Sequence, residues 1–230
     1  MKVTSRLGSS ISARANILGK LKQQVKGADY NKLPIEQAYD YPENCFSTQL
    51  NQFVELLESN HAQVIKLSKK DIAEVVLREL TARNLDSLLH GAGGQYSEYI
   101  DSLASTINLT PYDFMIEDNK SGLFNDYPAS ITGSHCAIAQ TGSIVLWPNV
   151  QEPRTLSLVP PVHFVIVDSH ELYQDFATLI SAQKWQDKLP TNVVLISGPS
   201  KTADIQQTLA YGAHGPKELI VLLLQKDADL

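Results

Sequence analysis

The chain has 230 residues, 43% of them hydrophobic, with 25 acidic and 19 basic side chains and a formal net charge of −6. That length and apolar content allow one main domain plus a small extension, and the acidic balance argues against a nucleic acid partner, whose phosphates call for clustered Lys and Arg. The two cysteines, Cys45 and Cys136, lie far apart and outside any CxxC, so they supply neither a disulfide framework nor the four ligands that an iron-sulfur cluster usually takes.

Lys2, Arg6, Arg14, Lys20, Lys22 and Lys26 all precede the first acidic residue, Asp29, faintly in the manner of a transit peptide. Ile11, Ala15, Leu18, Leu21 and Val25 recur at helical spacing, however, and predict an amphipathic N-terminal helix. No apolar run reaches the roughly 18 residues of a membrane span and no apolar signal core is seen, so a cytoplasmic protein is expected. "GADYNKLPIEQAYDYPE" has no period and reads as a loop. Residues 1–43 therefore read as a helix-and-loop extension and 44–230 as the main domain.

Phe46, Leu50, Phe53, Val54 and Leu57 share one helical face; "AQVIKL" follows as a short strand and "KKDIAEVVLRELTARN" as a second helix, with Ser68 available as its N-cap. "LDSLLH" is another strand candidate, ended by "GAGG". This alternation predicts the α/β class, with a mainly parallel sheet flanked by helices. Further on, Thr141 and Gly142 are placed as a hairpin turn between "CAIAQ" and "SIVLW". "VHFVIVD", "NVVLIS" and "ELIVLLL" have the composition of fully buried strands, and "TADIQQTLAYGAHGP" between the last two predicts a helix with Gly212 as its C-cap.

A buried strand that runs through "SGPSKT" into a helix would gather N–H groups, hydroxyls and a lysine at the carboxyl edge of a sheet, a place suited to an anion. Ser197, Gly198, Pro199, Ser200, Lys201 and Thr202 are the candidates, with Asp204 giving the site mixed sign. Thr141, Gly142 and Ser143 form a second cradle element, and Arg154 can pair with a ligand carboxylate, with Asp204 or with water. The plainer alternatives are a well-capped connection and an ordinary hairpin. Among the histidines no HxH or HExxH spacing supports a metal; His163 and His214 are pocket-lining candidates or structural groups, and Cys136 reads as a buried thiol.

Three blocks, "ITGSHCAIAQTGSIVL", "EPRTLSLVPPVHFVIV" and "SGPSKTADIQQTLAYGAHGPKELIVLLL", together with the helix "ISARANILGKLKQQV", resemble the LUD-domain family of the lactate utilisation protein C type, LutC or YkgG. The resemblance implies a NagB/RpiA/CoA transferase-like α/β fold. It further implies an accessory, non-redox subunit of an L-lactate-oxidising iron-sulfur system, with the clusters on two iron-sulfur partner proteins and no cofactor in this chain. An enzyme of the CoA-transferase or cyclo-ligase type, handling a phosphorylated or acyl substrate with Lys201 as anchor, is the alternative, and a homo-oligomeric ligand sensor is a third. Where members of the family commonly carry glutamates, in AETG and TADIE, this chain has Gln140 and Gln206, which cannot act as a nucleophile, base or metal ligand as carboxylates do.

Overall fold

The computed structural model describes residues 5–29, 44–203, 209–212 and 214–225. Its contacts divide the chain into two units, Met1–Pro42 and Glu43–Leu230. In the first, the predicted helix forms as α1 (Ser5–Gln24), with Ile17, Leu18 and Leu21 exposed. Most of the loop predicted before residue 44 lies outside the described residues.

The second unit runs α2 (Phe46–Ser59), β1 (Gln63–Leu67), α3 (Ile72–Ala82), β2 (Ser87–Gly91), α4 (Ser97–Asp101), β3 (Asn108–Tyr112), α5 (Lys120–Asn125), β4 (Ala129–Gly133), β5 (Cys136–Ile138) and β6 (Ser143–Leu146). It continues through α6 (Arg154–Leu158), β7 (Val162–Asp168), β8 (Leu172–Tyr173), α7 (Phe176–Ala182), β9 (Val194–Ile196), β10 (Lys201–Ala203), β11 (Leu209–Tyr211) and β12 (Glu218–Leu224). Six strands form one sheet in the order β1-β12-β7-β4-β2-β3, every pair parallel. The class is α/β, a parallel sheet flanked by helices.

β7 and β12 are interior strands of this sheet, which explains why neither alternates with polar residues: both faces are covered. Their side chains still alternate in destination. Phe164, Ile166, Ile220 and Leu222 point into one core with Ile72, Val76 and Leu80 of α3 and Ile100 of α4. Val165, Val167, Val221 and Leu223 point into the other, against Leu50, Phe53 and Leu57, the apolar stripe of α2, and against Ala137, Ile144 and Leu146 of a second sheet.

That second sheet has the order β8-β5-β6-β9. The expected hairpin is β5 and β6, antiparallel and joined by residues 139–142, with Gly142 at a φ of 57°. The outer face of this sheet packs Cys136, Ile138 and Val145 on Leu179 and Trp185.

Three expectations are corrected. "NVVLIS" forms β9, which pairs antiparallel with β6 at the edge of the small sheet and leaves Leu195 48% exposed. A short apolar run carries no information about which sheet it joins. The described ends of the segment after it are strands, not helix: β10 and β11 pair antiparallel, Lys201 opposite Tyr211 and Ala203 opposite Leu209, and residues 204–208 lie outside the described residues. Ser68 does not cap α3 with its side chain; its hydroxyl donates to Asp71 Oδ2 at 2.7 Å, ahead of a 3-10 turn over Lys69–Asp71.

Candidate functional site

The order of the strands singles out one crevice. From β2 the chain crosses to β3 at one edge; from β4 it proceeds toward β7 and β12 on the other side. Connections thus leave the adjacent strands β2 and β4 in opposite directions, and in open α/β sheets a ligand binds outside the carboxyl ends of two such strands. Here those ends are Gly91 and Gly133.

A cavity of about 360 Å³ opens at this place, lined among others by Gly94, Gly133, His135, Trp147, Asn149 and Glu152. Glu152 is its acidic group. The Asn149 side-chain oxygen accepts from the backbone N–H of Gln151 at 2.7 Å and of Glu152 at 2.9 Å, while Asn149 N–H donates to Glu152 O at 3.1 Å. This tight turn is fastened to the loop after β2 by the Ala92 N–H on Gln151 O, 3.1 Å. Glu152 then accepts the Gly133 N–H at 3.1 and 3.2 Å on its two oxygens.

The glycines around it have a steric reason. A Cβ on Gly91 would stand 2.5 Å from Glu152 Cγ and 2.8 Å from Gln151 O, and one on Gly94 would stand 2.6 Å from Glu152 Oε1. Burial raises the Glu152 carboxyl above its usual range, against the lowering effect of the Gly133 N–H. Beside it Tyr96 is buried, and its phenol is pushed up to about 12, first by burial and then by the charges of Asp168, Glu152 and Glu171. A carboxyl able to change its protonation state, next to a phenol that stays protonated, can accept from or donate to a ligand hydroxyl.

Arg154, predicted from the sequence, is exposed at the start of α6 and borders a small cleft together with Thr132, Gly133, Trp147 and Glu152. The other predicted residues gather elsewhere. Thr141 Oγ1 donates to Ser143 Oγ at 2.8 Å, and Ser143 Oγ shares a hydrogen bond of 2.8 Å with Ser197 Oγ, so the two proposed cradle elements do meet. They meet against the end of α2, however. A Cβ on Gly142 would lie 2.6 Å from Leu56 Cβ, and one on Gly198, at a φ of 151°, would lie 2.8 Å from Asn60 O. Helix packing accounts for both glycines.

Ser200 is engaged on three sides: its N–H donates to Pro216 O at 2.8 Å, its carbonyl accepts from Gly212 N–H at 3.0 Å, and its hydroxyl accepts from His214 N–H at 3.3 Å. A cavity of about 200 Å³ lies between this turn, Pro199 included, and His163, Ser157 and His214. It stands at the amino ends of β7 and β12, opposite to the expected edge. His163 is fully buried and shares a 2.9 Å hydrogen bond with Thr132; burial lowers its imidazole to about 3, which keeps it neutral. Lys201 is exposed, Thr202 pairs with Ala210 in the β10–β11 ladder, and the Gln140 N–H donates to Gln174 O at 2.9 Å. Asp204 and Gln206 lie outside the described residues.

A family model described as the LUD domain matches residues 50–224. The chain belongs to the LUD domain family. The matched span runs from α2 to the last residue of β12 and so contains both sheets and the whole Glu152 crevice. Along 94% of its length the chain is similar to an uncharacterised protein of Neisseria meningitidis serogroup B, at 34% identity over 95% of that protein. It is also similar to a lactate utilization protein C of Macrococcus caseolyticus, 32% identical over 48% of this chain and 52% of that one, and to a lactate utilization protein C 1 of Bacillus mycoides, 27% identical over 78% and 86%. A crystal structure of a DUF162 family protein from Deinococcus radiodurans superposes with a TM-score of 0.59 over 80% of this chain and all of that one, at 19% identity, and so shares its fold. No helix among the described residues is long and apolar enough to cross a membrane.

Glu152 was missed in the sequence because nothing about "QEPR" separates a half-buried loop glutamate from an exposed one. The available signal was "GAGG" directly after a strand: three glycines at the carboxyl end of a parallel strand mark a close approach.

Proposed function

We propose that this LUD-family chain serves lactate utilisation as an accessory, non-redox component of an L-lactate-oxidising iron-sulfur system, and that it binds a small anionic ligand in the crevice between β2 and β4. The observation that carries the ligand site is Glu152, held against the Gly133 N–H at the point where the connections of the parallel sheet diverge. The place in lactate utilisation is supported by the similar proteins that carry that name. Two cysteines are fewer than a cluster usually takes, so the clusters would reside on partner proteins. In a bound 2-hydroxy acid the hydroxyl would face the Glu152 carboxyl, and the carboxylate would turn to Arg154, whose guanidinium suits bidentate pairing.

The tagged chain, purified from its own host grown on L-lactate, is expected to bring with it stoichiometric proteins that absorb near 400 nm, about where iron-sulfur clusters do. Recovery of the chain alone from lactate-grown cells would remove the accessory-component reading. A raised carboxyl with no cation paired to it among the described residues also favours a second reading, an enzyme acting on an acyl or phosphorylated substrate with Glu152 exchanging a proton. Under that reading the purified chain turns over such a substrate by itself and Glu152→Gln abolishes turnover.

A further inference from the structure

His135 lines the same crevice as Glu152 and stands one residue ahead of β5, where its backbone N–H donates to Val145 O of β6 at 2.8 Å. Although exposed, its ring is fixed. It packs on Trp147 with the centroids 4.3 Å apart and the planes at 59°, and Trp147 in turn meets Trp185 edge to face at 5.6 Å. Its Nε2 lies 2.6 Å from Gln183 Oε1, just past the end of α7. The neighbours of Gln183 settle which end of its amide is the oxygen: the indole N–H of Trp185, a donor only, reaches that atom at 3.0 Å, and the amide nitrogen donates to Tyr173 Oη at 3.2 Å. A flipped amide would set donor against donor at Trp185. Gln183 Oε1 is therefore an acceptor, His135 Nε2 carries the proton it donates, and in the neutral ring Nδ1 is left with a lone pair. Among the described residues no partner occupies Nδ1.

An acceptor that cannot donate discriminates between ligands that the Glu152 carboxyl alone treats alike. Burial favours the protonated form of Glu152, which donates to a hydroxyl and to an oxo oxygen in the same way. Nδ1 accepts from a hydroxyl but meets an oxo oxygen lone pair to lone pair, and a polar atom left without its bond is what makes a site reject the analogue that lacks the donor. We propose that His135 Nδ1 is the specificity-determining acceptor of the crevice: a 2-hydroxy acid donates its hydroxyl proton to Nδ1 while its hydroxyl oxygen accepts from Glu152, and the corresponding 2-oxo acid, with no proton to give, is disfavoured. The crevice so built holds the reduced member of a hydroxy acid and oxo acid pair in preference to the oxidised one. This inference rests on the reading of the crevice as the site of a small anionic hydroxy acid.

Two measurements on the full chain test it at about pH 7.5, above the ordinary imidazole pKa. In long-range proton–nitrogen NMR spectra of the chain with isotope-labelled histidines, the His135 signals being assigned by their loss in His135→Phe, Nε2 is expected to carry the proton, Nδ1 to be bare, and L-lactate to shift the Nδ1 signal. In isothermal titration L-lactate is expected to bind at least about tenfold more tightly than pyruvate. His135→Phe, at an exposed position and with an aromatic ring retained beside Trp147, should remove that preference by weakening L-lactate. A proton on Nδ1 in the free chain, an Nδ1 signal unmoved at saturating L-lactate, equal affinity for the two acids, or a preference that survives in His135→Phe would overturn the inference and leave the crevice reading standing. Binding of neither acid would remove the hydroxy acid reading of the crevice, and this inference with it.

Discussion

Glu152 is held by a backbone N–H and by a turn that leaves its carboxyl facing a crevice, and burial raises its pKa. Because the raised value favours the protonated form in the folded state, this group stabilises the fold most at low pH and loses that contribution as pH rises through the folded pKa. Glu152→Gln keeps an oxygen for the Gly133 N–H and removes the titration. The melting temperature of the wild type, measured against that of the variant, should therefore fall as pH rises above the ordinary carboxylate range; a difference that does not change with pH would show that the carboxyl is not perturbed. Cys45 and Cys136 offer a sharper contrast. Hydrogen bonds with Ser47 and Thr48 lower the exposed Cys45 thiol to about 7, whereas burial pushes Cys136 up to about 12. Iodoacetamide at pH 7.5 should alkylate Cys45 in the native protein and Cys136 only after denaturation, as peptide mass spectrometry would read directly. That Cys136 is buried was legible from its apolar neighbours. The state of Cys45 was not, since it depends on two hydroxyls brought round by the first turn of α2.

Elements whose sequence carried a long signal were legible. β7 and β12 are seven-residue strands made mostly of apolar residues, and α2 and α3 repeat apolar residues at helical spacing, so all four form where expected. Where a segment was short, pairing partners decided. β9 has three residues and could have joined either sheet; at Lys201–Ala203 and Leu209–Tyr211 an antiparallel ladder forms where a helix-like spacing predicted a helix. The β5–β6 hairpin was read from Thr141–Gly142, and the structure adds why the glycine is needed: positive φ together with the approach of Leu56. Gly142→Ala should cost about 2 kcal/mol, from the left-handed backbone and from overpacking, and lower the urea midpoint accordingly. Arg83 fastens three elements, donating to Glu79 of α3 at 3.0 Å, to Gln63 of β1 at 2.8 Å and to Glu218 of β12 at 2.8 Å. Against the effect of burial, Arg78, Arg83 and Gln63 hold the Glu79 carboxyl below its usual range. Arg83→Ala should cost about 1–3 kcal/mol by chemical denaturation, and a loss under a few tenths would show these contacts to be idle.

At the scale of the whole molecule, the crevice exists because β2 and β4, about 40 residues apart in sequence, become neighbours only in the folded sheet. The sequence showed an α/β domain and the family it resembles, but strand order is a global property that local periodicity does not contain. For that reason the expected anion site was drawn at the "SGPSKT" turn, which the fold carries to the amino ends of β7 and β12. Glu152 and its crevice take the carboxyl edge instead. The central claim joins this edge to lactate utilisation, and growth tests it most directly. The host lacking this chain should fail to grow on L-lactate as sole carbon source yet grow normally on pyruvate, and the wild-type chain, but not Glu152→Gln produced at equal level, should restore growth. Growth of the deletion strain on L-lactate at the parental rate would contradict the account.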